Sequence, residues 1–353
     1  MKVWLDIRSL NEHSHYGSMM LKVIKKLVEV DNKNEYILYT HHSIWLEKHE
    51  KVTPIKPWDA FGDLKISKQF KQESFALMVF FDHRVPLFYK EDFIVMIPSL
   101  KESFFMWKDF LAREIYNHYM AKTISRAKKV ICFEKYTASE LNERLNVNEK
   151  KIQIMNPFFH IKPKKALPEA IHIDIKSKYN LQNDYLIYDG WSGANKNIEN
   201  LLKTFSKLNW VWSRMHLFII WEDTAKDTDL RDIVITKKLQ DRVEFISHIN
   251  AKEEIFYYQQ SKGIIFPSIY ESFPFDLKKA ISYWVPILSS DIWAIRWFMW
   301  DHIDYFNPKS TYDMWEAIEK FLRKKKQPDY TDIFSDYTLP KTIKQFYSII
   351  MKS

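Results

Sequence analysis

Glycine is scarce in this chain. Five of its 353 residues are Gly, where a usual share of roughly 7% would give about 25. Most tight turns and helix ends must therefore be built from other residues. No G-x-G-x-x-G follows a strand-like run, which argues against a dinucleotide-dependent dehydrogenase. The single cysteine, Cys132, lies in the apolar run KVICF and reads as a core residue. That excludes a disulfide framework and a cysteine-based zinc site, so the redox state of the compartment does not bear on the fold. No apolar run approaches the roughly 20 residues of a membrane span. The N-terminus, MKVWLDIRSL, is broken by Asp6 and Arg8 and reads as a first strand, not a signal peptide. The expected location is cytoplasmic.

What is present is ordinary for a soluble globular protein. Apolar residues make up 46% and charged residues 28%, and the length suits two domains of about 150 residues each. The net charge of +8 favours anionic partners such as nucleotide phosphates or acidic headgroups, with solubility as the plain alternative. Short β-like runs alternate with helical ones. MKVWLDI, EYILYT, FALMVFF, FIVMI and KVICF read as strands, with helices over SMMLKVIKKLVEV, residues 105–127 and TASELNERL. In that last helix Thr137 is the expected N-cap, with Glu140 three residues on. The Pro- and Lys-rich PFFHIKPKKALP, residues 157–168, reads as a linker. A second alternation follows through YLIYD, HLFII, RVEFI and GIIFPS, and KTIKQFYSIIM closes the chain as an amphipathic helix. Strand–helix alternation implies parallel sheets, which bind ligands beyond the carboxyl ends of their strands.

Several stretches resemble, in order, the retaining glycosyltransferases of family 4: MKVWLDIRSL with HYGSMM, RAKKVICFEKYTASELNERLNVNEKKIQIMNPF, YLIYDGWSGANKNIENLLKTF, DRVEFISHINAKEEIFYYQQSKGIIFPSIYESF, VPILSSDIWAIRW and YFNP. The resemblance implies a GT-B fold: two Rossmann-like, doubly wound domains facing a cleft. It assigns residues 1–160 to the acceptor-side domain, 161–335 to the donor domain, and 336–353 to a helix packing back on the first. It implies sugar transfer from a nucleotide-diphosphate donor to a polysaccharide or glycolipid acceptor, without a metal or other cofactor. Cationic groups would then stabilise the departing diphosphate.

Residue by residue, Lys196 matches the diphosphate-binding lysine and Glu271 the glutamate that faces the donor sugar. Gly190, Ser272, Phe273, Pro274 and Phe275 fall in the donor-binding loops; the two phenylalanines also read as core. His15, Gly17 and Ser18 fall in the acceptor-side loop, and His13 with His15 at i, i+2 lacks a third ligand for a metal. Three departures stand out. The companion basic residue falls at Trp191. The second glutamate, which in the family holds the donor ribose, falls at Lys279, which offers only donors. The strand-end His-Asp pair falls at Pro98-Ser99. These departures keep a rival open: a non-catalytic adaptor that partners an active glycosyltransferase. The basic, aromatic stretch Arg113 to Lys129 suits peripheral contact with a membrane surface. Arg323 to Lys326 suits a helix C-terminus. No motif supports nucleic-acid binding.

Tryptophan is abundant where glycine is missing. There are 13 Trp, several at places where the family has Gly: Trp4, Trp221, Trp284, Trp293 and Trp300. Counting every Trp as Gly would raise glycine from 5 to 18, about 5% of the chain and close to the usual share. The expectation is that most of these positions carry UGA codons that the source organism translates as glycine. UGG codons there would refute it, and a chain that truly fills its turns with indoles is the alternative.

Overall fold

The computed structural model describes the chain apart from residues 13, 41–49, 55–76, 87–88, 106–109, 160–166, 170, 172–174, 176, 178–182, 191–192, 209–213, 221–227, 248, 325–327 and 353. The chain forms two compact units. One comprises Met1–His160 with Ser335–Ser353, and the other Ile161–Phe334.

In the first unit, strands β1 (Lys2–Asp6), β2 (Glu35–Thr40), β3 (Glu50–Pro54), β4 (Leu77–Phe80), β5 (Phe93–Met96), β6 (Lys129–Cys132) and β7 (Ile152–Ile154) form one sheet in the order β3-β2-β1-β4-β5-β6-β7. The pairings are parallel; Val3 lies opposite Tyr36 on one side and Leu77 on the other. LMVF of β4 and FIVM of β5 are buried throughout, as expected for strands covered on both faces. Helices α1 (His15–Val30), α2 (Lys101–Phe105), α3 (Phe110–Arg126), α4 (Lys135–Leu145) and the C-terminal helix provide the cover. Met20, Val23, Ile24 and Leu27 bury one side of α1. Each such side chain contributes about 1.5–3 kcal/mol through its removal from water.

In the second unit, β8 (Tyr185–Asp189), β9 (His216–Ile220), β10 (Val243–Ile246), β11 (Gly263–Phe266), β12 (Ile287–Ser290) and β13 (Asp304–Phe306) run parallel in the order β10-β9-β8-β11-β12-β13. Its helices are α5 (Ile198–Phe205), α6 (Thr228–Thr236), α7 (Ala251–Gln260), α8 (Leu277–Ser282), α9 (Trp293–Met299), α10 (Thr311–Arg323) and α11 (Thr331–Asp336). The chain returns to the first unit from Ser335, at the end of α11, and closes with α12 (Leu339–Met351). There Phe346 is buried, and Lys129 Nζ donates to Ile349 O at 3.0 Å. Each sheet reverses its winding once, between β1 and β4 and between β8 and β11. Those are the switch points where open α/β sheets leave a crevice at the carboxyl ends.

Several local expectations change. The helix over TASELNERL begins at Lys135, and its N-cap is Glu134, not Thr137. The Glu134 carboxylate accepts from the Thr137 N–H and hydroxyl. The long helix expected over 105–127 is described as α2 and α3, with residues 106–109 outside the described part. Strands β3, β7, β12 and β13 were not among the expected strands. Pro98-Ser99 leads into α2, where the Ser99 hydroxyl accepts from the Lys101 N–H at 3.0 Å.

The backbone bears directly on the tryptophans. Among described non-glycine residues, positive φ occurs at Asn146, Asn197, Lys238, Trp284 and Trp300. Asn tolerates that region; a bulky residue does not. Trp4 differs: it lies in β1, fully buried and stacked on Tyr39 at 5.0 Å. Trp293 is also no turn residue, since it opens α9 and stacks on Trp297. Trp191 and Trp221 lie outside the described residues.

Candidate active site

The crevice at the β8/β11 switch point gathers most of the charged residues singled out in the sequence. Lys196 ends a 3₁₀ turn, Ala194–Lys196, just before α5. Two asparagines fix that turn. Asn197 takes φ 58°, reversing the chain into the helix, and its amide donates to Pro308 O at 3.0 Å. The Asn195 amide donates to Tyr270 O at 3.1 Å, while Asn195 O accepts from the Ile269 N–H at 2.8 Å. The loop carrying Lys196 is thereby tied to the segment that follows β11 and carries Glu271.

The result is a buried ion cluster. Lys196 Nζ lies 2.6 Å from Glu271 Oε1 and also bonds the Asp276 carboxylate. Burial works against the charge on Lys196, but Glu271 first and Asp276 next carry its pKa above the ordinary lysine value. It is an ammonium at any physiological pH. Burial raises the Glu271 pKa, with Lys196 pulling the other way and Asp276 adding to the rise.

A second cluster adjoins it. Lys279, on α8, lies 3.1 Å from both Asp189 Oδ2 and Glu254 Oε2. Asp189 closes β8, and Glu254 is on α7. Tyr258 donates its hydroxyl to the same Asp189 oxygen. Burial raises the Asp189 pKa against the pull of Lys279. Burial disfavours the Lys279 charge, yet Asp189 and Glu254 raise its pKa. Lys279 is therefore held by carboxylates.

The remaining donor-loop residues have mixed roles. Gly190 has φ 155° and follows Asp189; a Cβ there would come 3.3 Å from the Tyr188 hydroxyl. Phe273 packs on Phe275 and Phe298, so the core role foreseen for it holds. Ser272 and Pro274 are buried beside it. The stretch 272–275 is a turn before α8, and the Phe275 N–H already donates to Phe273 O at 2.9 Å. The backbone donor of Phe275 is thus engaged within the turn.

His15, Gly17 and Ser18 lie in the other unit and form the first turn of α1, not a loop. Ser14 caps the helix by accepting from the Gly17 N–H, and His15 is exposed. Gly17 is needed because a Cβ would lie 2.0 Å from Asn11 O. His13 lies outside the described residues. The β1/β4 crevice close by is lined by Asp6, Arg8, Phe81, Asp82 and Arg84. Sequence reasoning passed over Asp276, Asp189, Glu254 and Asn195. The available signals were a carboxylate five residues after Glu271 and another at a strand end beside Gly190.

Comparisons with known proteins fit this geometry. Residues 172–333 match the family described as Glycosyl transferases group 1, a stretch that holds both ion clusters. The O-antigen chain mannosyltransferase RfbU of Salmonella typhimurium is 23% identical over 235 residues, covering 66% of this chain. The match spans 61% of that protein's own length. Among solved structures, HepE of Anabaena in complex with UDP-glucose superposes with a TM-score of 0.77 at 9% identity, covering 100% of both chains. WaaG, a glycosyltransferase of lipopolysaccharide biosynthesis, gives 0.70 at 13% identity, again over 100% of both. The fold is thus the GT-B fold of these solved structures, and the second unit is similar to the Glycosyl transferases group 1 family over residues 172–333. Among the described residues no helix is long and apolar enough to cross a membrane.

Proposed function

We propose that the chain transfers a sugar from a nucleoside-diphosphate donor to a saccharide or lipid-linked acceptor of a cell-surface polymer or glycolipid. The observation that carries this reading is the Lys196 ammonium, buried at the β8/β11 switch point, 2.6 Å from Glu271. In this reading Lys196 meets the diphosphate. As the bond to the sugar breaks, negative charge grows on the diphosphate oxygen, and a fixed ammonium in a low-dielectric site stabilises it. Glu271 faces the donor sugar, and its bond to Lys196 fixes both side chains. The likeness to a mannosyltransferase and to HepE with UDP-glucose supports a nucleotide-sugar donor. The transfer retains anomeric configuration and needs no metal, because Lys196 supplies the cation.

Contact with a membrane surface falls to α3. Phe110, Leu111 and Ile115 are each more than 60% exposed there, beside Arg113. This exposed apolar group at the start of α3 suits a lipid-linked acceptor presented at a bilayer.

The test is release of nucleoside diphosphate from a panel of UDP- and GDP-sugars, by the wild type and by Lys196→Met and Glu271→Gln. At least one donor should turn over, with a loss of at least about 100-fold in Lys196→Met. One observation favours a second reading. Lys279 is the counterion of Asp189 and Glu254, so residue 279 cannot accept ribose hydroxyls. A chain that binds no donor in the panel would be a non-catalytic partner of an active glycosyltransferase.

A further inference from the structure

We propose that Asp276 is the exchangeable counterion of the Lys196 ammonium and sets the affinity for the donor's diphosphate. This rests on the reading of Lys196 as the diphosphate contact. Before any ligand arrives, one ammonium already faces two carboxylates, Glu271 and Asp276. A diphosphate adds more negative charge to the same point. Like charges a few ångströms apart in a partly buried site repel strongly, so one carboxylate must give up the ammonium.

Asp276 is the one placed to do so. Its side chain is 30% exposed against 16% for Glu271. It stands at the N-cap of α8 without capping that helix through its side chain. Moving it into water breaks no helix cap. Glu271 is deeper and next to the stapled Asn195–Tyr270 contact. Other charges nearby do not reverse the balance, since Asp189 and Glu254 occupy Lys279. Asp276 is therefore a positioning residue. It keeps Lys196 charged and in place while the site is empty, at the expense of donor affinity.

The experiment is calorimetric titration of the full chain with UDP and GDP, for the wild type, Asp276→Asn, Asp276→Glu and Glu271→Gln. The expected result is that Asp276→Asn binds about tenfold more tightly, the effect of removing one competing charge. Asp276→Glu keeps the charge and should keep wild-type affinity, and Glu271→Gln should tighten binding less than Asp276→Asn, because Glu271 is the carboxylate that stays on Lys196. A purely structural role for Asp276 would make Asp276→Asn weaker and less stable, which overturns the proposal, as does unchanged affinity. Nucleotide binding by the wild type without the tightening removes this inference alone. Binding by none of the four proteins removes the donor reading and this inference together.

A separate observation, on the backbone, carries a second inference. We infer that positions 284 and 300 are glycine in the protein as its own organism makes it. Trp284 has φ 57° at the residue after the C-cap of α8. Its N–H donates to Ile281 O at 3.2 Å, and the Val285 N–H donates to Ala280 O at 3.0 Å. That pair of bonds defines a Schellman end, whose left-handed residue is usually Gly. Trp300 has φ 45° and ψ −122° at the end of α9, a combination that glycine adopts freely and side-chain-bearing residues avoid. Trp300 is 66% exposed, so burial does not compensate for the strain. These are two of the turn positions at which the sequence itself suggested glycine.

Peptide mass spectrometry of the protein from its source should find glycine at both positions. Indole-bearing peptides at both would overturn the inference. In recombinant protein made with Trp, Trp300→Gly should raise the folding equilibrium constant about tenfold, the cost of a left-handed side-chain residue. Trp284→Gly should gain less, because the indole stacks on Tyr330 at 6.0 Å. A Trp300→Gly variant less stable than its parent would also overturn it.

Discussion

The two switch points carry charge in different ways. In the first unit, Asp6 pairs with Arg8 and Asp82 with Arg84, partners two residues apart at single strand ends. In the second, Lys196 reaches Glu271 and Asp276 across 75 and 80 positions of sequence. A pair two residues apart forms wherever its strand end forms. A pair 75 apart exists only when β8 and β11 lie side by side, so the unit-two clusters depend on the whole sheet. The Lys196 cluster is largely buried, as is the Asp6–Arg8 pair, but at Lys196 one cation serves two carboxylates, so its loss leaves two charges uncompensated.

The largest effect should therefore come from Lys196→Met. It leaves Glu271 and Asp276 facing each other without a cation. We expect a loss of about 3–5 kcal/mol in unfolding free energy, read by urea denaturation. Adding Asp276→Asn should restore part of it. An additive double variant would break the comparison, because residues that share a partner are expected to couple.

Glu134 supplies the next contrast, a buried carboxylate in the first unit. Burial pushes its pKa up to about 8, with Thr137 opposing and Glu140 adding. A carboxyl whose folded pKa is raised favours the proton-bound native state. Its contribution is full below the unfolded value near 4.5 and is lost as pH rises through about 8. Glu134→Gln should remove this slope. At pH 8 the variant should be more stable than the wild type by up to about 4 kcal/mol, and at pH 4 the two should be close. Urea denaturation at the two pH values measures both differences.

Lys279→Glu follows. The family pattern alone would expect it to restore a ribose acceptor. The structure instead puts a third carboxylate beside Asp189 and Glu254. With Lys279 38% exposed, solvent moderates the cost to about 1–2 kcal/mol. Donor turnover should fall, and a gain would show that the cluster rearranges around nucleotide.

The alternation of strands and helices was legible because buried parallel strands such as FIVM and YLIYD are continuous apolar runs. Strands of three residues such as DYF, and EKVTP with its charges and proline, give no such signal. Lys196 and Glu271 were legible only through resemblance. Asp276, Asp189 and Glu254 were hidden, because their roles arise from strand order, which periodicity does not encode. The Thr137 cap was misread for a local reason: Glu134, three residues earlier, accepts from the Thr137 N–H and so places Thr137 inside the first turn. The glycine-like turns were visible as a composition anomaly, but only the φ angles separate Trp284 and Trp300 from Trp4, whose indole fills the core of β1.

The smallest effect belongs to Arg84→Ala. Its side chain is 50% exposed, and its partner Asp82 keeps a second contact with His83 Nδ1. Burial alone would raise the Asp82 pKa, but His83 and then Arg84 hold it below the usual carboxylate value. Removing Arg84 leaves the His83 contact to Asp82 in place, and Asp82 keeps a partner. The expected loss is under about 1 kcal/mol in the same denaturation assay, the range of exposed pairs. A loss as large as that of Lys196→Met would mean that the first unit's crevice is as tightly coupled as the second. The contrast between pairs made by one strand end and pairs made by a whole sheet would then fail.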